Sequence, residues 1–306
     1  MKPVVVLGGT GFLGRRVMRL LEERGLSARS LSRREGCDLT EARALAARLR
    51  ELQPRAVINC AAHVGSVHYV GRRAADVIHD NMLMIAHTYA AIRQSCPGAL
   101  LVNPISNCSY PGESLAQRES AWQEGPVHDS VLAFASTRRM VHAFARSYMA
   151  QHGIASANWL IPNAYGPGDG TDPDRVHALD GILIRLIQAQ RRGDRTVPIW
   201  GSGRPVREWV YVDDVAAVLV RSLDRGAQLD PINVAQNRGH SIAEIGALAA
   251  KLLGYDVGFE FDTSYADGAP RKIMDDALFR RACPDFRFTP LDEGIRATIE
   301  YYRSIL

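Results

Sequence analysis

The sequence predicts an α/β fold, a doubly wound parallel sheet, and three observations carry that expectation. Short apolar runs alternate with longer helical patterns through the first half of the chain. The first run leads straight into a glycine-rich segment, and that segment opens a helix. A β-α-β-α order needs crossover helices, which is how parallel strands are joined.

Taken in order, Val4 to Leu7 is a continuous β-branched and leucine run, suited to a strand buried on both faces. Its approach through Met1-Lys2-Pro3 is too short and leads too directly into glycines to read as a signal peptide. Phe12 to Arg24 is expected as a helix, with Phe12, Val17, Leu20 and Leu21 near helical spacing. A second strand is expected at Ser27 to Ser32, and Glu41 to Leu52 reads as a helix stopped by Pro54. Val57 to Cys60, Leu100 to Ile105 and Ala157 to Ile161 are further strand candidates. Helices are expected between them at Ala74 to Ser95 and Ala133 to His152.

The second half changes character. Asn163 to Gly203 is rich in Gly, Pro and Asp, with one helical stretch from Ile182 to Arg191. Val210 to Asp224 reads as a strand end running into a helix. Ser241 to Leu253 reads as a helix in which Ser241 and Glu244 form a capping box.

Composition narrows the classes. The hydrophobic fraction of 46% and charged fraction of 23% are those of a globular protein, and no apolar run approaches the roughly 18 residues of a membrane span. No membrane association is expected. The five cysteines are odd in number and lack CxxC spacing, so a disulfide framework is not expected and a reducing cytoplasm is. The net charge of +4 comes from basic and acidic residues mixed along the sequence, and the densest basic spots, such as Arg15-Arg16, Arg33-Arg34 and Arg191-Arg192, are short pairs in mixed surroundings. That pattern favours a pocket for a small anion over a nucleic-acid surface. The nine histidines show no ligand spacing, and no metal site is expected.

Gly8, Gly11 and Gly14 give the spacing GxxGxxG between the first strand and the first helix, with Thr10, Phe12 and Leu13 among them. Such glycines let the backbone turn tightly and approach a pyrophosphate, which rests on the helix N-terminus. This is the dinucleotide loop of a Rossmann sheet. At the end of the second strand an acid would bond a ribose 2′-hydroxyl, whereas an arginine accepts a 2′-phosphate. Arg33-Arg34 stands there, so NADP is expected over NAD. Asp38, followed by Leu39, is a candidate for the adenine edge, or for the cap of the following helix. The expected division is a dinucleotide-binding domain at 1–162 and 204–235, with a smaller interleaved C-terminal substrate lobe at 163–203 and 236–306.

Further motifs occur in order: Ala61-Ala62-His63-Val64-Gly65, Ser106-Asn107-Cys108-Ser109-Tyr110-Pro111 and Pro162-Asn163-Ala164-Tyr165-Gly166-Pro167. Trp200-Gly201-Ser202-Gly203, Arg207-Glu208, Val212-Asp213-Asp214-Val215 and Pro270-Arg271-Lys272 follow. With the glycine loop, this set resembles the GDP-L-fucose synthase family of extended short-chain dehydrogenases, over nearly the whole chain. The resemblance implies a nucleotide-sugar substrate, epimerised at C3 and C5 of a 4-keto-6-deoxy sugar and then reduced at C4 with NADPH. By that resemblance Cys108 and His177 are the base and acid of epimerisation, and Ser106 hydrogen-bonds the sugar near C4. Ala61 and Ala62 line the cofactor, while Asn163, Arg185, Trp200, Arg207 and Lys272 contact the substrate. For Arg207 the alternative is a surface ion pair with Glu208. The resemblance also implies a homodimer packed through the helices at Ala74 to Ser95 and Ala133 to His152.

One departure from the family stands out. Its reduction uses Tyr-x-x-x-Lys on a helix, and the matching positions here are Phe134 and Arg138. Phenylalanine has no proton to give, and arginine stays charged, so Arg138 can hold a ribose hydroxyl but relays protons poorly. No tyrosine lies within one helical turn of position 134. The leading expectation is therefore an epimerase using Cys108 and His177 with NADP bound as a largely structural cofactor. Two alternatives stay open. The chain is an NADPH-dependent epimerase-reductase taking its proton from Ser106, a water or a substrate hydroxyl, or it is an inert NADP-binding partner subunit.

Overall fold

The computed structural model describes residues 2–306. The nucleotide half runs β1 (Val4–Leu7), α1 (Phe12–Glu23), β2 (Ala28–Leu31), α2 (Ala42–Leu52), β3 (Ala56–Asn59), α3 (Val67–Arg72), α4 (Ala74–Ser95), β4 (Leu100–Ser106), α5 (Leu132–His152) and β5 (Ser156–Ile161). The chain continues through β6 (Asn163–Tyr165), α6 (Ala178–Arg192), β7 (Thr196–Trp200), β8 (Val206–Arg207), β9 (Trp209–Tyr211), α7 (Val212–Arg225) and β10 (Gln228–Asn233). It ends with β11 (His240–Ser241), α8 (Ile242–Leu253), β12 (Gly258–Asp262), β13 (Arg271–Lys272), α9 (Ala277–Ala282) and α10 (Leu291–Ile305).

Six parallel strands form the main sheet in the order β10-β5-β4-β3-β1-β2. The period-2 alternation of a strand sorts its residues between two apolar layers. Val5, Leu7 and Val57 face a layer built with Leu45 and Leu49 of α2, Ile85 and Ile92 of α4, and Val141 and Ala145 of α5. Val4, Val6, Ala56 and Ile58 face the other layer, with Val17 and Leu21 of α1 and Ala216 and Leu219 of α7. The strand order reverses beside β1, so the crevice at the C-terminal ends of β1 and β3 is the switch point where such sheets bind ligands.

A separate apolar core lies between α6, α8 and α10. Leu183 and Leu186, Ile245 and Ala249, and Ile295 and Ile299 meet there, with Val197 and Ile199 of β7. Ser241 and Glu244 form the expected capping box at the start of α8. Phe279, Cys283 and Phe286 pack instead with Trp159 and α7 on the nucleotide sheet. That stretch of 236–306 thus sits on the nucleotide side, because its aromatic cluster finds an apolar face there.

Two local differences from the expected elements bear on the site. Helix α3 occupies a stretch where no element was expected. It is only six residues long, too short for a periodic signal, and starts where Ser66 accepts a hydrogen bond from the Tyr69 amide. Helix α6 begins at Ala178 rather than Ile182, with His177 as its N-cap residue. No helix among the described residues is long and apolar enough to cross a membrane.

Candidate active site

The glycine loop joins β1 to α1 at the switch point. Gly8 has φ +72°, and a Cβ there would lie 3.0 Å from the Ala61 backbone. The loop can therefore touch the end of β3 only because residue 8 is glycine. A side chain at Gly14 would run into the Gly8 carbonyl. Gly11 is the N-cap of α1 and offers no side-chain cap, so the amides of the first turn are left for an anion. These residues fit a dinucleotide pyrophosphate.

Beyond β2, Arg33 is largely exposed and its Nε lies 3.0 Å from Asp38 Oδ2. Asp38 does not cap α2, whose N-cap is Glu41. It accepts instead from the Thr40 amide and hydroxyl, closing a local turn, because Thr40 is two residues on and within reach of its short side chain. Sequence reading missed Glu35, whose Oε2 accepts from the hydroxyls of Ser30 and Ser32, each at 2.6 Å.

Strand β4 delivers Ser106 and Cys108 to the same edge. Ser106 Oγ accepts from the Cys108 amide at 3.4 Å, and Ser109 Oγ donates to the Ser106 carbonyl at 2.7 Å. Arg139 of α5 braces this turn, its Nε donating to the Ser109 carbonyl at 2.7 Å. The Cys108 thiol is buried beside an apolar cluster containing Val127 and Phe134. Arg138, Arg139 and Lys272 all lie close enough to feel its charge. Burial pushes the Lys272 ammonium down to about 8, with Cys108 pulling the other way.

His177 is held by Asp169, which the sequence reading did not single out. Asp169 Oδ2 accepts from the His177 amide at 2.7 Å and lies 2.9 Å from its Nδ1. The imidazole is 36% exposed while the Asp169 side chain is only 8% exposed, so one face of the ring is open and its support is buried. Burial works against the imidazolium, but the bond and charge of Asp169, with Asp180 behind, outweigh it and raise the pKa. The ring lies 5.6 Å from that of Phe12 in the glycine loop. Arg15 and Arg16 of α1 donate to the carbonyls of Gly168 and Pro167, tying the loop that carries Asp169 to the same helix.

On α5, Arg138 is buried, 6% exposed, and lies over the Phe134 ring at 5.0 Å. Its Nη2 donates to Asn81 Oδ1 at 2.8 Å, and Asn81 in turn donates to the His63 carbonyl at 2.8 Å. The His63 ring sits between Asp80 Oδ2, 2.8 Å from Nδ1, and the Tyr69 hydroxyl, 2.8 Å from Nε2. Arg175 Nη2 donates to the same hydroxyl at 2.7 Å. Tyr69, remote from Phe134 along the chain, packs against the cluster that contains Phe134 and Cys108.

The lobe side supplies cations and an aromatic stack. Arg207 is not paired with Glu208: it donates to the Val206 and Asp267 carbonyls. Glu208 is fully buried and accepts from the amides of Gln236 and Met274, because β8 and its neighbours leave those amides without other partners. Burial pushes its carboxyl up to about 7. Arg185 lies 4.9 Å from the Trp200 ring, and Tyr265 stacks on Trp200 at 4.4 Å. The Arg185 Nε is buried with no hydrogen-bond partner. Asn163 joins β6 to this region through its amide, which donates to the Glu208 carbonyl at 3.2 Å. Lys272, paired in register with Arg207 on the neighbouring strand, links the lobe cations to Cys108.

A Rossmann sheet with a glycine loop at its switch point and a polar site beside it defines a dinucleotide-binding enzyme of the extended short-chain class. Residues 4–235 match the NAD dependent epimerase/dehydratase family, and the chain belongs to it. It is 30% identical over 284 residues to the GDP-L-fucose synthase of Escherichia coli K12, covering 89% of this chain and 88% of that one. With GDP-L-fucose synthase 1 of Arabidopsis thaliana the identity is 28% over 313 residues, covering 98% and 92%. A solved GDP-L-fucose synthetase of Naegleria fowleri bound to NADP superposes with a TM-score of 0.87 at 25% identity, covering 99% of this chain and 93% of that one.

Proposed function

We propose that this chain is an NADPH-dependent epimerase-reductase acting on a GDP-4-keto-6-deoxy sugar. The observation that carries the reading is the Cys108 turn and the Asp169–His177 pair, present together in a chain that resembles GDP-L-fucose synthases over nearly its full length. The epimerase without reduction, the leading expectation from sequence, is the weaker reading. The relatives are synthases, and the lobe and loop are complete around the altered Phe134 and Arg138.

Protons beside the 4-ketone are acidic, and Cys108 takes them at C3 and C5. His177 returns a proton to the opposite face, its Nδ1–H held by Asp169 so that Nε2 is the working nitrogen. Arg207 and Lys272 hold the diphosphate, and Arg185 and Trp200 the base. Asn163 and Ser106 address the sugar. The first turn of α1 holds the pyrophosphate of NADP, with Thr10, Phe12, Leu13, Leu39, Ala61 and Ala62 along it. Arg33 takes the 2′-phosphate, Asp38 borders the adenine, and Arg138 holds the nicotinamide ribose. The bound dinucleotide supplies hydride for C4.

The division into a dinucleotide-binding domain and a substrate lobe, a cytoplasmic setting and a homodimer belong to the same reading. Exposed Ile78 on α4 and exposed Leu132, Met140 and Met149 on α5 support the last.

The test is incubation with a GDP-4-keto-6-deoxy sugar and NADPH in deuterated water. Deuterium at C3 and C5 with loss of NADPH absorbance is expected. Exchange without oxidation would return the epimerase reading, and tight nucleotide binding with neither signal would favour the inert partner.

A further inference from the structure

We propose that Tyr69 gives the proton that accompanies reduction at C4, in place of the tyrosine missing at position 134, and that His63 and Asp80 resupply it. This rests on the reductase reading above. Three side chains from separate elements form one line: Asp80 of α4, His63 of the β3 loop and Tyr69 of α3, with both links at 2.8 Å. Such a line orients a phenol hydroxyl and gives it a proton source, and a merely structural tyrosine needs only one partner. Its placement matters as much. Tyr69 packs against the cluster of Phe134 and Cys108, and Arg175 on its other side belongs to the loop that ends in His177.

The chemistry of the line follows from donors and acceptors. Asp80 accepts the Nδ1–H of His63, which leaves Nε2 facing the phenol oxygen. When Nε2 is unprotonated it accepts the Tyr69 O–H, and the phenol has no proton to offer elsewhere. When the ring is an imidazolium, Nε2–H and Arg175 both donate to the phenol oxygen, and the O–H is released toward the site. In the proposed step the substrate C4 accepts hydride from the reduced nicotinamide as its oxygen takes the Tyr69 proton. The C=O double bond becomes C–H and O–H, the dinucleotide is oxidised, and the tyrosinate recovers a proton from His63 Nε2. The imidazole is then reprotonated from solvent. His79, 3.3 Å from Asp80 Oδ1, and Arg138, which reaches the His63 backbone through Asn81, complete the charged and titratable surroundings. The pair Arg72–Asp174 closes the same junction at 3.6 Å.

The test compares wild type with Tyr69→Phe, His63→Gln and Asp80→Asn, reading NADPH oxidised per deuterium incorporated at C3 and C5. The ratio is expected to fall on the order of 10²-fold in Tyr69→Phe, within the usual worth of a positioned acid. In His63→Gln it is expected to fall less, since the phenol keeps its own proton and loses only its resupply. A second readout needs no turnover. In protein without cofactor, labelled with isotopic tyrosine, the Tyr69 ring signal should shift in His63→Gln and in Asp80→Asn, because each breaks the hydrogen-bonded line. A wild-type enzyme that oxidises NADPH with an unchanged ratio in Tyr69→Phe overturns this proposal alone. A wild type silent toward NADPH overturns the reductase reading and this proposal with it.

Discussion

The Cys108–His177 region and the α5 region of the same site differ in how they keep their chemistry. In the first, each group proposed to react stands at the position the family resemblance gives it, with supports close by: the Ser106 turn for Cys108 and Asp169 for His177. In the second, Phe134 and Arg138 occupy the helix positions while the hydroxyl, the imidazole and the carboxylate stand on α3, the β3 loop and α4. On the assignment proposed for Tyr69, the comparison teaches that a proton donor is tied to a place above the sheet edge, which several elements can reach, and not to one helix.

Cys108→Ala should break the first region most severely. Deuterium incorporation at C3 and C5 should fall on the order of 10²- to 10⁴-fold, whereas NADPH oxidation with an already epimerised keto-sugar should survive. Loss of both together would show that the two regions are not separable.

Asp169→Asn should do less, lowering exchange about tenfold and moving its pH profile. Asp169 favours the imidazolium, so without it His177 loses its proton at lower pH and the alkaline fall in rate should begin earlier. A profile that stays in place would remove His177 from the acid role.

Installing the family residues by Phe134→Tyr with Arg138→Lys sharpens the contrast from the other side. With Tyr69 already supplying the proton, the gain in NADPH oxidation should stay below about tenfold, because a second general acid adds little to a step that has one. A gain of 10²-fold would mean the wild-type site lacks a donor.

Lys272 gives a milder, pH-dependent effect. Its ammonium loses its proton as pH rises through about 8, so KM for the GDP-sugar should climb above that pH. In Lys272→Arg the climb should disappear, since arginine stays charged.

The smallest effect on chemistry should come from Glu208→Gln, which leaves one of the two buried amides facing an NH₂ group. Thermal unfolding should report a loss of about 1–3 kcal/mol, with exchange and reduction slowed together.

Much of the fold was legible because strand and helix patterns are local. The runs at Val4 to Leu7 and Leu100 to Ile105, the glycine loop and the Ser241–Glu244 cap each announce themselves within a few residues. Cys108, Arg207 and Lys272 were singled out because they sit in ordered motifs, and His177 by its position relative to the family. The partners were not, for a physical reason. Asp169, Asp80 and Tyr69 act by where separate elements bring them, and six-residue α3 leaves no periodic trace. Counting tyrosines along one helix could not reveal one that arrives from another. The alternative reading of Arg207, an ion pair with Glu208, is not met, since each of the two side chains finds backbone partners of its own.

The two arginines on α1 that grasp the carbonyls of Pro167 and Gly168 couple two distant stretches of the chain. The helix whose first turn receives the dinucleotide is the same helix that moors the loop bearing Asp169. The first turn of α1 and the seat of His177 are thus joined through one rigid element, so a substitution at Arg15 or Arg16 reaches both.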